Sequence, residues 1–163
     1  MVTFRNQTEA DLHYLAEALG ARSQTDDPKA KAFPQSGVGV VIAKGEVELA
    51  RSANVLPPAL AARFRHDMRG ISDEERYHVI EHAERAAIYQ ALQKGIDLSG
   101  ATLYGTRFPC SDCARAMLWA GIARAVFPSG FAGEDRWVVS QRAALHMLRH
   151  AGVTVRYLSP SPA

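Results

Sequence analysis

Two short motifs in this chain contain residues that can bind a metal ion and move a proton. His82 and Glu84 lie two positions apart in the first motif, and Cys110 and Cys113 follow Pro109 in the second. One imidazole and two thiolates supply three ligands for a zinc ion and leave the fourth tetrahedral position open for water. An open position is typical of a catalytic zinc, and Glu84 is an acid–base group beside that water.

Two other interpretations of the cysteine pair have to be weighed. A C-x-x-C motif in a cytosolic protein also occurs as a thioredoxin-like redox pair or as half of a structural zinc site. A structural site needs four ligands, but the chain contains 2 cysteines and the position of His82 does not match a zinc finger. A redox pair would suit a strand–loop–helix context around Cys110, but it leaves His82, Glu84 and Pro109 unexplained. The joint pattern therefore favours a catalytic metal site.

Length and composition are typical of a compact enzyme. The chain has 163 residues, of which 47% are hydrophobic, enough for one domain with a substantial core. A net charge of +2 with 22% charged residues requires neither a nucleic-acid nor a membrane partner. We expect no secretory signal or membrane span, and the metal-binding cysteines predict a reducing compartment, the cytoplasm. We expect one domain over residues 1–158 and a disordered tail over 159–163.

In the first half of the chain, the sequence predicts helices around a β-hairpin. Thr8 fits the N-cap of a helix that continues to Ala21. The next predicted elements are a loop (22–36), two hairpin strands (38–43 and 47–50) and a short helix (59–68). Residues 72–75 resemble a capping box that opens a helical stretch reaching Gln93. The pattern leaves open whether this stretch is one helix or breaks just before His82.

In the second half, strands and helices alternate with short connections. The predicted order is strand (101–106), helix (111–120), strand (122–127), helix (135–151) and strand (153–158). The last helix is expected to bury five apolar residues, which are Val138, Ala144, Leu145, Leu148 and Ala151. Such alternation predicts parallel strands with helices on the faces, and the leading hairpin makes the sheet mixed. Both cysteines then lie at a helix N-terminus, where free N–H groups favour thiolates.

The two motifs together also carry a resemblance to a known family. The pattern H-x-E…P-C-x-x-C is the signature of zinc-dependent base deaminases. The chain resembles the cytidine/deoxycytidylate deaminase superfamily, and within it the deoxycytidylate (dCMP) deaminases, over roughly residues 12–158. Four further stretches support the resemblance, which are residues 37–42, 54–57, 103–108 and 120–122. The resemblance implies an α/β fold with three α/β/α layers around a five-stranded mixed sheet.

The resemblance also implies roles for individual residues. It implies one Zn²⁺ per chain, held by His82, Cys110 and Cys113, with Glu84 as the catalytic proton shuttle. Asn54 corresponds to the residue that hydrogen-bonds the sugar of a bound nucleotide. Backbone groups near Ala83 and Pro109 correspond to those that hold the edge of the base. From their residue type, Phe108 and Phe131 could contact the base, although residues of this type are more often core or rim residues.

The expected reaction replaces an amino group on a nucleobase ring by a carbonyl and releases ammonia. The expected substrate is a small molecule, dCMP or a related pyrimidine nucleotide. A nucleoside, a free base or another aminated heterocycle of purine or pterin type is the alternative. A tRNA adenosine deaminase-like editor is a further alternative, but it needs a basic track for phosphates, and no Lys/Arg cluster is present at the C-terminus. A homo-oligomer is expected from the resemblance alone.

Three departures from the family pattern leave the identity of the substrate open. Ala86 stands where the family commonly has Asn, and Ser52-Ala53 replaces a usual Gly-Tyr pair. An early Ser-x-Asp loop is matched only loosely, by residues 23–28. Because the Gly-Tyr region takes part in triphosphate regulation in some relatives, we do not expect such regulation here.

A few residues near the motifs allow two interpretations each. Arg85, Arg107 and Arg115 flank the motifs and could meet a phosphate, or could be solvated surface cations. Trp119 and Trp137 lie on predicted helices and are expected to be packing residues.

Overall fold

The computed structural model describes residues 2–64, 68, 70–130 and 135–159. Phe131, the end of the predicted helix over 59–68 and the predicted tail beyond Ser159 lie outside these residues.

A five-stranded mixed sheet organises the molecule, in the order β2-β1-β3-β4-β5. The strands are β1 (Gly39–Lys44), β2 (Val47–Ala53), β3 (Thr102–Gly105), β4 (Arg124–Phe127) and β5 (Thr154–Tyr157). The hairpin β1–β2 turns through Gly45, whose φ of 62° favours glycine. β1 pairs antiparallel with β3, whereas β3–β4 and β4–β5 are parallel. The predicted mixed α/β sheet is confirmed, and β2 is three residues longer than predicted.

Seven helices occur in the described residues, together with two short 3₁₀ turns at 22–24 and 34–36. They are α1 (Gln7–Ala21), α2 (Pro28–Ala32), α3 (Pro58–Phe64), α4 (Arg76–Val79), α5 (Ala83–Gln93), α6 (Ser111–Trp119) and α7 (Asp135–His150). None of the described helices combines the length and the apolar character needed to cross a bilayer.

Two predictions about helix starts in the N-terminal region are wrong. The N-cap of α1 is Asn6 and not Thr8, because Asn6 has an extended backbone and its Oδ1 accepts from the N–H of Glu9 at 3.0 Å. The predicted loop over 22–36 contains α2, which begins at Pro28 after the N-cap Asp27. An Asp-Pro pair is itself a helix-start signal, since Pro has no N–H to leave unpaired at the first helical position.

The helical stretch before the first motif is broken, which settles the alternative left open by the pattern. Ser72 and Glu75 do form a reciprocal capping box, with N···O distances of 2.8 and 3.1 Å. α4 nevertheless ends at Val79, and the backbone of Glu81 pairs with that of Val55 at 2.8 and 3.1 Å. This bridge fixes the extended segment that carries His82 beside the end of β2.

The alternation of side chains along the strands divides the core between the two faces of the sheet. Val40, Ile42 and Leu103 belong to a large cluster that also contains buried residues of α5, α6 and α7. Val41 and Tyr104 point to the other face and pack against α1. The three α/β/α layers are therefore confirmed.

The predicted buried face of α7 is only partly correct. Ala144 and Leu148 are fully buried, whereas Val138 and Leu145 are half-buried. Ala151 is exposed, because α7 ends at His150 and Gly152 turns the chain with a φ of 78°.

Candidate active site

Two helix N-termini meet at the carboxyl ends of the strands and bring the two motifs together. His82 occupies the N-cap position of α5, and Cys110 occupies the N-cap position of α6. Cys113 lies in the first turn of α6, on the same side as Cys110 because residues three apart share a helix face. The N–H groups and the positive end of the helix dipole at the start of α6 favour the thiolate form of Cys110.

The three candidate ligand atoms form a nearly equilateral triangle. His82 Nδ1 lies 3.5 Å from Cys110 Sγ and 3.5 Å from Cys113 Sγ, and the two sulfurs are 3.5 Å apart. A tetrahedral zinc with Zn–N of about 2.0 Å and Zn–S of about 2.3 Å separates its ligands by about 3.5–3.8 Å. The triangle therefore fits one face of a zinc coordination tetrahedron, and these side chains can hold a metal ion.

The contacts among His82, Cys110 and Cys113 shift the pKa values of all three side chains. The hydrogen bond from Cys113, helped by His82, outweighs burial and lowers the pKa of the Cys110 thiol to about 4. The same hydrogen bond, together with burial, raises the pKa of Cys113. The Cys110 thiolate raises the pKa of His82. Because thiol and imidazole groups bind a metal ion in their deprotonated forms, metal binding here would release protons.

A buried carboxylate stands next to this triangle. Glu84 lies in the first turn of α5 and is only 4% exposed, and its Oε2 accepts from Cys113 Sγ at 3.5 Å. Burial raises the pKa of Glu84. A carboxyl group with a raised pKa returns a proton more readily than an ordinary one, so it can act both as a base and as an acid.

A cavity of about 310 Å³ opens onto His82, Cys110 and Glu84. Its size falls within the range of small-molecule sites. Asn54, at the end of β2, lines the cavity with a fixed side chain. Its Oδ1 accepts from the N–H of Val38 at 3.1 Å, and its Nδ2 donates to Asp27 Oδ2 at 3.3 Å. The carboxamide is thus oriented before any ligand arrives.

The other three predicted substrate contacts occupy different positions. Ala83 is fully buried and lines the cavity next to Glu84. Phe108 also lines it, while its ring packs 5.1 Å from that of Phe127 in the core. Pro109 is fully buried and lies outside the cavity lining. The roles of these three residues in substrate binding therefore stay predictions. Because Pro109 does not line the cavity, it could affect a substrate only through neighbouring residues.

Of the three arginines that flank the motifs, Arg107 lines the cavity. Arg85 donates to Glu81 Oε1 at 2.6 Å and lies 3.4 Å from Asp112. Arg115 also pairs with Asp112. Arg85 and Arg115 therefore belong to an ion-pair network across α5 and α6.

Several residues of the cavity wall were not predicted from the sequence. Arg76 and Tyr77 reach it from α4, and Arg136, Trp137 and Gln141 reach it from α7. Trp137, predicted as a packing residue, stands edge-on to the imidazole of His82, with ring centroids 5.9 Å apart. The order of the elements could have indicated the α7 residues, because α7 follows β4 and ligand sites in α/β folds lie at the carboxyl ends of parallel strands.

Trp119, the other tryptophan predicted to pack, is 93% exposed. It is the last residue of α6, on the face that carries Asp112 and Arg115. The prediction was wrong because helical spacing cannot show whether a neighbour covers that face.

An α/β fold with two helix N-termini that present one histidine, two cysteines and a buried glutamate defines a zinc-binding class of protein. The family model for the cytidine and deoxycytidylate deaminase zinc-binding region matches residues 9–129. The chain therefore belongs to this family, as the two motifs predict.

Relatives and solved structures agree with this assignment. A probable deoxycytidylate deaminase of Drosophila melanogaster is 33% identical over 104 residues, which are 63% of this chain and 47% of that protein. The chain thus spans about half the length of the deoxycytidylate deaminases it matches first. An uncharacterized deaminase in the luxG 3′ region of Aliivibrio fischeri is 31% identical over 147 residues, 88% of each chain.

The fold has a close counterpart among solved structures. The dCMP deaminase of cyanophage S-TIM5, solved in complex with dCMP and dUMP, superposes with a TM-score of 0.69 at 21% identity. The superposition covers 94% of this chain and all of that chain. This likeness confirms the predicted α/β fold.

Proposed function

We propose that this chain is a zinc-dependent hydrolytic deaminase that acts on dCMP or a related pyrimidine nucleotide. The observation that carries the proposal is the triangle of His82 Nδ1, Cys110 Sγ and Cys113 Sγ with Glu84 buried against it. Membership in the deaminase family and the similarity to deoxycytidylate deaminases support it. The overall reaction is dCMP plus water to dUMP plus ammonia.

His82, Cys110 and Cys113 would hold one zinc ion per chain. When bound, zinc supplies a water molecule whose pKa is lowered toward ~7 and which is therefore a nucleophile near neutral pH. We further propose that residues 1–158 form one catalytic domain. The site requires reduced cysteines, which supports a cytoplasmic location.

Glu84 would carry protons between the attacking water and the substrate. Its carboxylate takes a proton from the water and delivers it to ring nitrogen N3 while oxygen attacks C4. It then moves the proton of the new C4 hydroxyl group to the amino group, so that the C–N bond breaks, ammonia departs and a carbonyl remains on C4. One carboxyl acts first as base and then as acid, which its buried position and raised pKa favour.

The remaining predicted site residues would hold the substrate. Asn54, oriented by Val38 and Asp27, would hydrogen-bond the sugar. Backbone groups near Ala83 and Pro109 would hold the edge of the base, and Phe108 would border it.

We also propose that the chain forms a homo-oligomer through the outer face of α5 and α6. Both helices begin at the candidate metal site and are cross-linked there by Arg85 and Asp112. Seven residues further along each helix, on the same face by helical periodicity, lie Leu92 and Trp119. These side chains are 73% and 93% exposed.

A second copy of this chain is the occupant that this face fits. Exposed Trp and Leu on two helices that contact each other are typical of an interface centre rather than of solvated surface. Glu81, Arg85, Asp112 and Arg115 contribute both signs of charge along the same helices, so two copies can pair them reciprocally about a twofold axis.

The substrate assignment is tested by ammonia release from the zinc-loaded protein with a panel of aminated rings. The panel contains dCMP, CMP, deoxycytidine, cytosine, adenosine and guanine, and Glu84→Ala is the control. The proposal predicts turnover of dCMP that Glu84→Ala abolishes. Turnover of another ring alone would keep the chemistry and reject the substrate. Silence with zinc bound, followed by deamination of an RNA adenosine, would favour the editing alternative.

A further inference from the structure

The cavity wall carries more positive charge than the proposed chemistry uses. Among the described residues, four cationic side chains line it, which are Lys29, Arg76, Arg107 and Arg136. Two carboxylates of the described residues do so, and one of them, Glu84, lies at the candidate metal site. The other, Asp27, is already paired with Arg76. Such an excess of cations favours an anionic ligand.

Arg76 is the most constrained of these cations. Its side chain is only 6% exposed, and its Nη1 lies 2.7 Å from both carboxylate oxygens of Asp27. Its Nε donates to Asp73 Oδ1 at 3.1 Å. These two acidic residues fix the plane of the guanidinium and leave the second terminal nitrogen, Nη2, for another partner.

That nitrogen has no hydrogen-bond partner among the described residues, although it is buried. A buried N–H without an acceptor is destabilising, and each such group in a native structure calls for an explanation. Because Arg76 lines the cavity, an oxygen of a bound ligand can supply the missing acceptor. The acceptor that best matches an oriented guanidinium is an oxyanion.

The position of Arg76 relative to Asn54 indicates which part of a nucleotide it would meet. Asp27 accepts from Asn54 Nδ2 at 3.3 Å and from Arg76 Nη1 at 2.7 Å, so a single carboxylate separates the two side chains. A group attached to the sugar that Asn54 would hold is therefore within reach of Arg76.

Two further cations belong to the same region. The N–H of Lys29 donates to Asp27 Oδ1 at 2.9 Å, which places Lys29 beside the Asp27–Arg76 pair. Arg107 points toward the turn after α2, where its Nη2 lies 3.5 Å from the carbonyl oxygen of Gln35.

Building on the proposed function, we propose that Arg76 Nη2, Lys29 and Arg107 form a subsite for a phosphate monoester. The substrate class is then a nucleoside monophosphate, rather than a nucleoside or a free base. Arg76 provides the oriented donor, and the two more exposed cations add charge at the mouth of the cavity.

The test compares dCMP with deoxycytidine, which differ only by the phosphate. Arg76→Lys keeps a cation opposite Asp27 but removes Nη2. We expect kcat/KM for dCMP to fall by about 10- to 100-fold, the range for a lost hydrogen bond to a charged group. We expect kcat/KM for deoxycytidine to stay unchanged. Lys29→Gln and Arg107→Gln should act on dCMP in the same direction with smaller effects. Arg149→Gln, on the exposed end of α7, is the control and should change neither substrate.

Two outcomes would overturn the subsite while leaving the deaminase in place. If the unaltered protein converts deoxycytidine as efficiently as dCMP, no phosphate subsite operates. If Arg76→Lys lowers kcat/KM for both substrates by the same factor, Arg76 acts only by holding Asp27 and Asn54.

The phosphate subsite can also be tested if the proposed deaminase function is wrong. If no cytosine compound is deaminated, calorimetric titration compares dUMP and AMP with the corresponding nucleosides. Tighter binding of the monophosphates that Arg76→Lys abolishes would support the subsite. Equal binding of monophosphates and nucleosides would overturn it.

Discussion

Two carboxylates are buried on opposite faces of the same sheet, and their surroundings differ sharply. Asp11 of α1 is completely buried and accepts five hydrogen bonds, from Gln7, Tyr104, Arg124 (two) and Arg156, at 2.6–3.1 Å. Glu84 of α5 is buried to a similar degree, but its contact within the described residues is the thiol of Cys113 at 3.5 Å.

The number of hydrogen bonds determines whether the charged or the neutral form of each carboxyl group is favoured. Burial raises the pKa of Asp11, but the hydrogen bonds from Arg124, Gln7 and Tyr104 outweigh it and lower the pKa overall. For Glu84 burial dominates, and the pKa is raised. A buried carboxylate whose hydrogen bonds are satisfied stabilises one arrangement of the core. A buried carboxyl group with few hydrogen bonds is available for proton transfer. We therefore interpret Asp11 as structural and Glu84 as functional.

Glu84→Gln keeps the shape of the side chain and removes the proton-carrying group. We expect kcat for the proposed deamination to fall by about 10³-fold, within the range for lost general acid–base catalysis. The metal-free variant should unfold at no lower a urea concentration than the parent, since an unfavourably buried carboxylate has been removed. Turnover within tenfold of the parent would show that Glu84 does not carry the proton.

Asp11→Asn is expected to have the opposite effect, which is a loss of stability without a loss of activity. It leaves Arg124 and Arg156 facing an uncharged side chain, and breaking a buried ion pair costs about 3–5 kcal/mol. Urea denaturation should show this loss, while kcat of the folded protein stays unchanged. A loss of stability below about 1 kcal/mol, the value of an exposed pair, would mean that the cluster is not structural.

The helices that carry the two carboxylates also differ on their outer faces. α1 exposes no large hydrophobic residue, whereas α5 and α6 expose Leu92 and Trp119. We expect Trp119→Glu to raise the dissociation constant of the proposed oligomer by about 30-fold or more, as for a tryptophan at an interface centre. Light scattering after gel filtration measures this, and Val139→Glu, at a 77% exposed position on α7, is the matched control. Equal effects of both variants would reject this face.

The smallest expected effect is a difference in pH dependence. Asp11 has a lower pKa in the folded protein than the ~3.9 of an unfolded chain, so it stabilises the fold above that pH. This contribution is lost as the pH falls through the folded pKa. The difference in free energy of unfolding between the parent and Asp11→Asn should therefore shrink between pH 5 and pH 2. A constant difference over this range would contradict the lowered pKa of Asp11.

The candidate metal site could be predicted from the sequence, whereas the Asp11 cluster could not, and the reason is physical. The candidate ligands are paired by local spacing, and the alternation of strands and helices places both motifs at the same edge of the sheet. The Asp11 cluster joins α1 to β3, β4 and β5, and nothing in the local pattern around Asp11 indicates its distant partners. The break before His82 likewise depends on a backbone bridge to Val55.

The wall of the cavity was the least predictable part of the site. Arg76 looks like an ordinary solvated arginine on a short helix, and its burial arises from Asp27, 49 positions away. Trp137 and Gln141 reach the cavity because α7 packs against α6, which is a tertiary contact. Local spacing predicts groups that lie on one turn, whereas long-range packing decides which other side chains surround them.

Isotope labelling shows whether this protein deaminates its substrate by hydrolysis. The zinc-loaded protein is incubated with dCMP in H₂¹⁸O, and nucleotide and ammonia are measured together. We expect dUMP that carries one ¹⁸O per molecule, with ammonia formed in equal amount, and formation of both slowed by about 10³-fold with Glu84→Gln. No dUMP, or dUMP without the heavy oxygen, would contradict hydrolytic deamination.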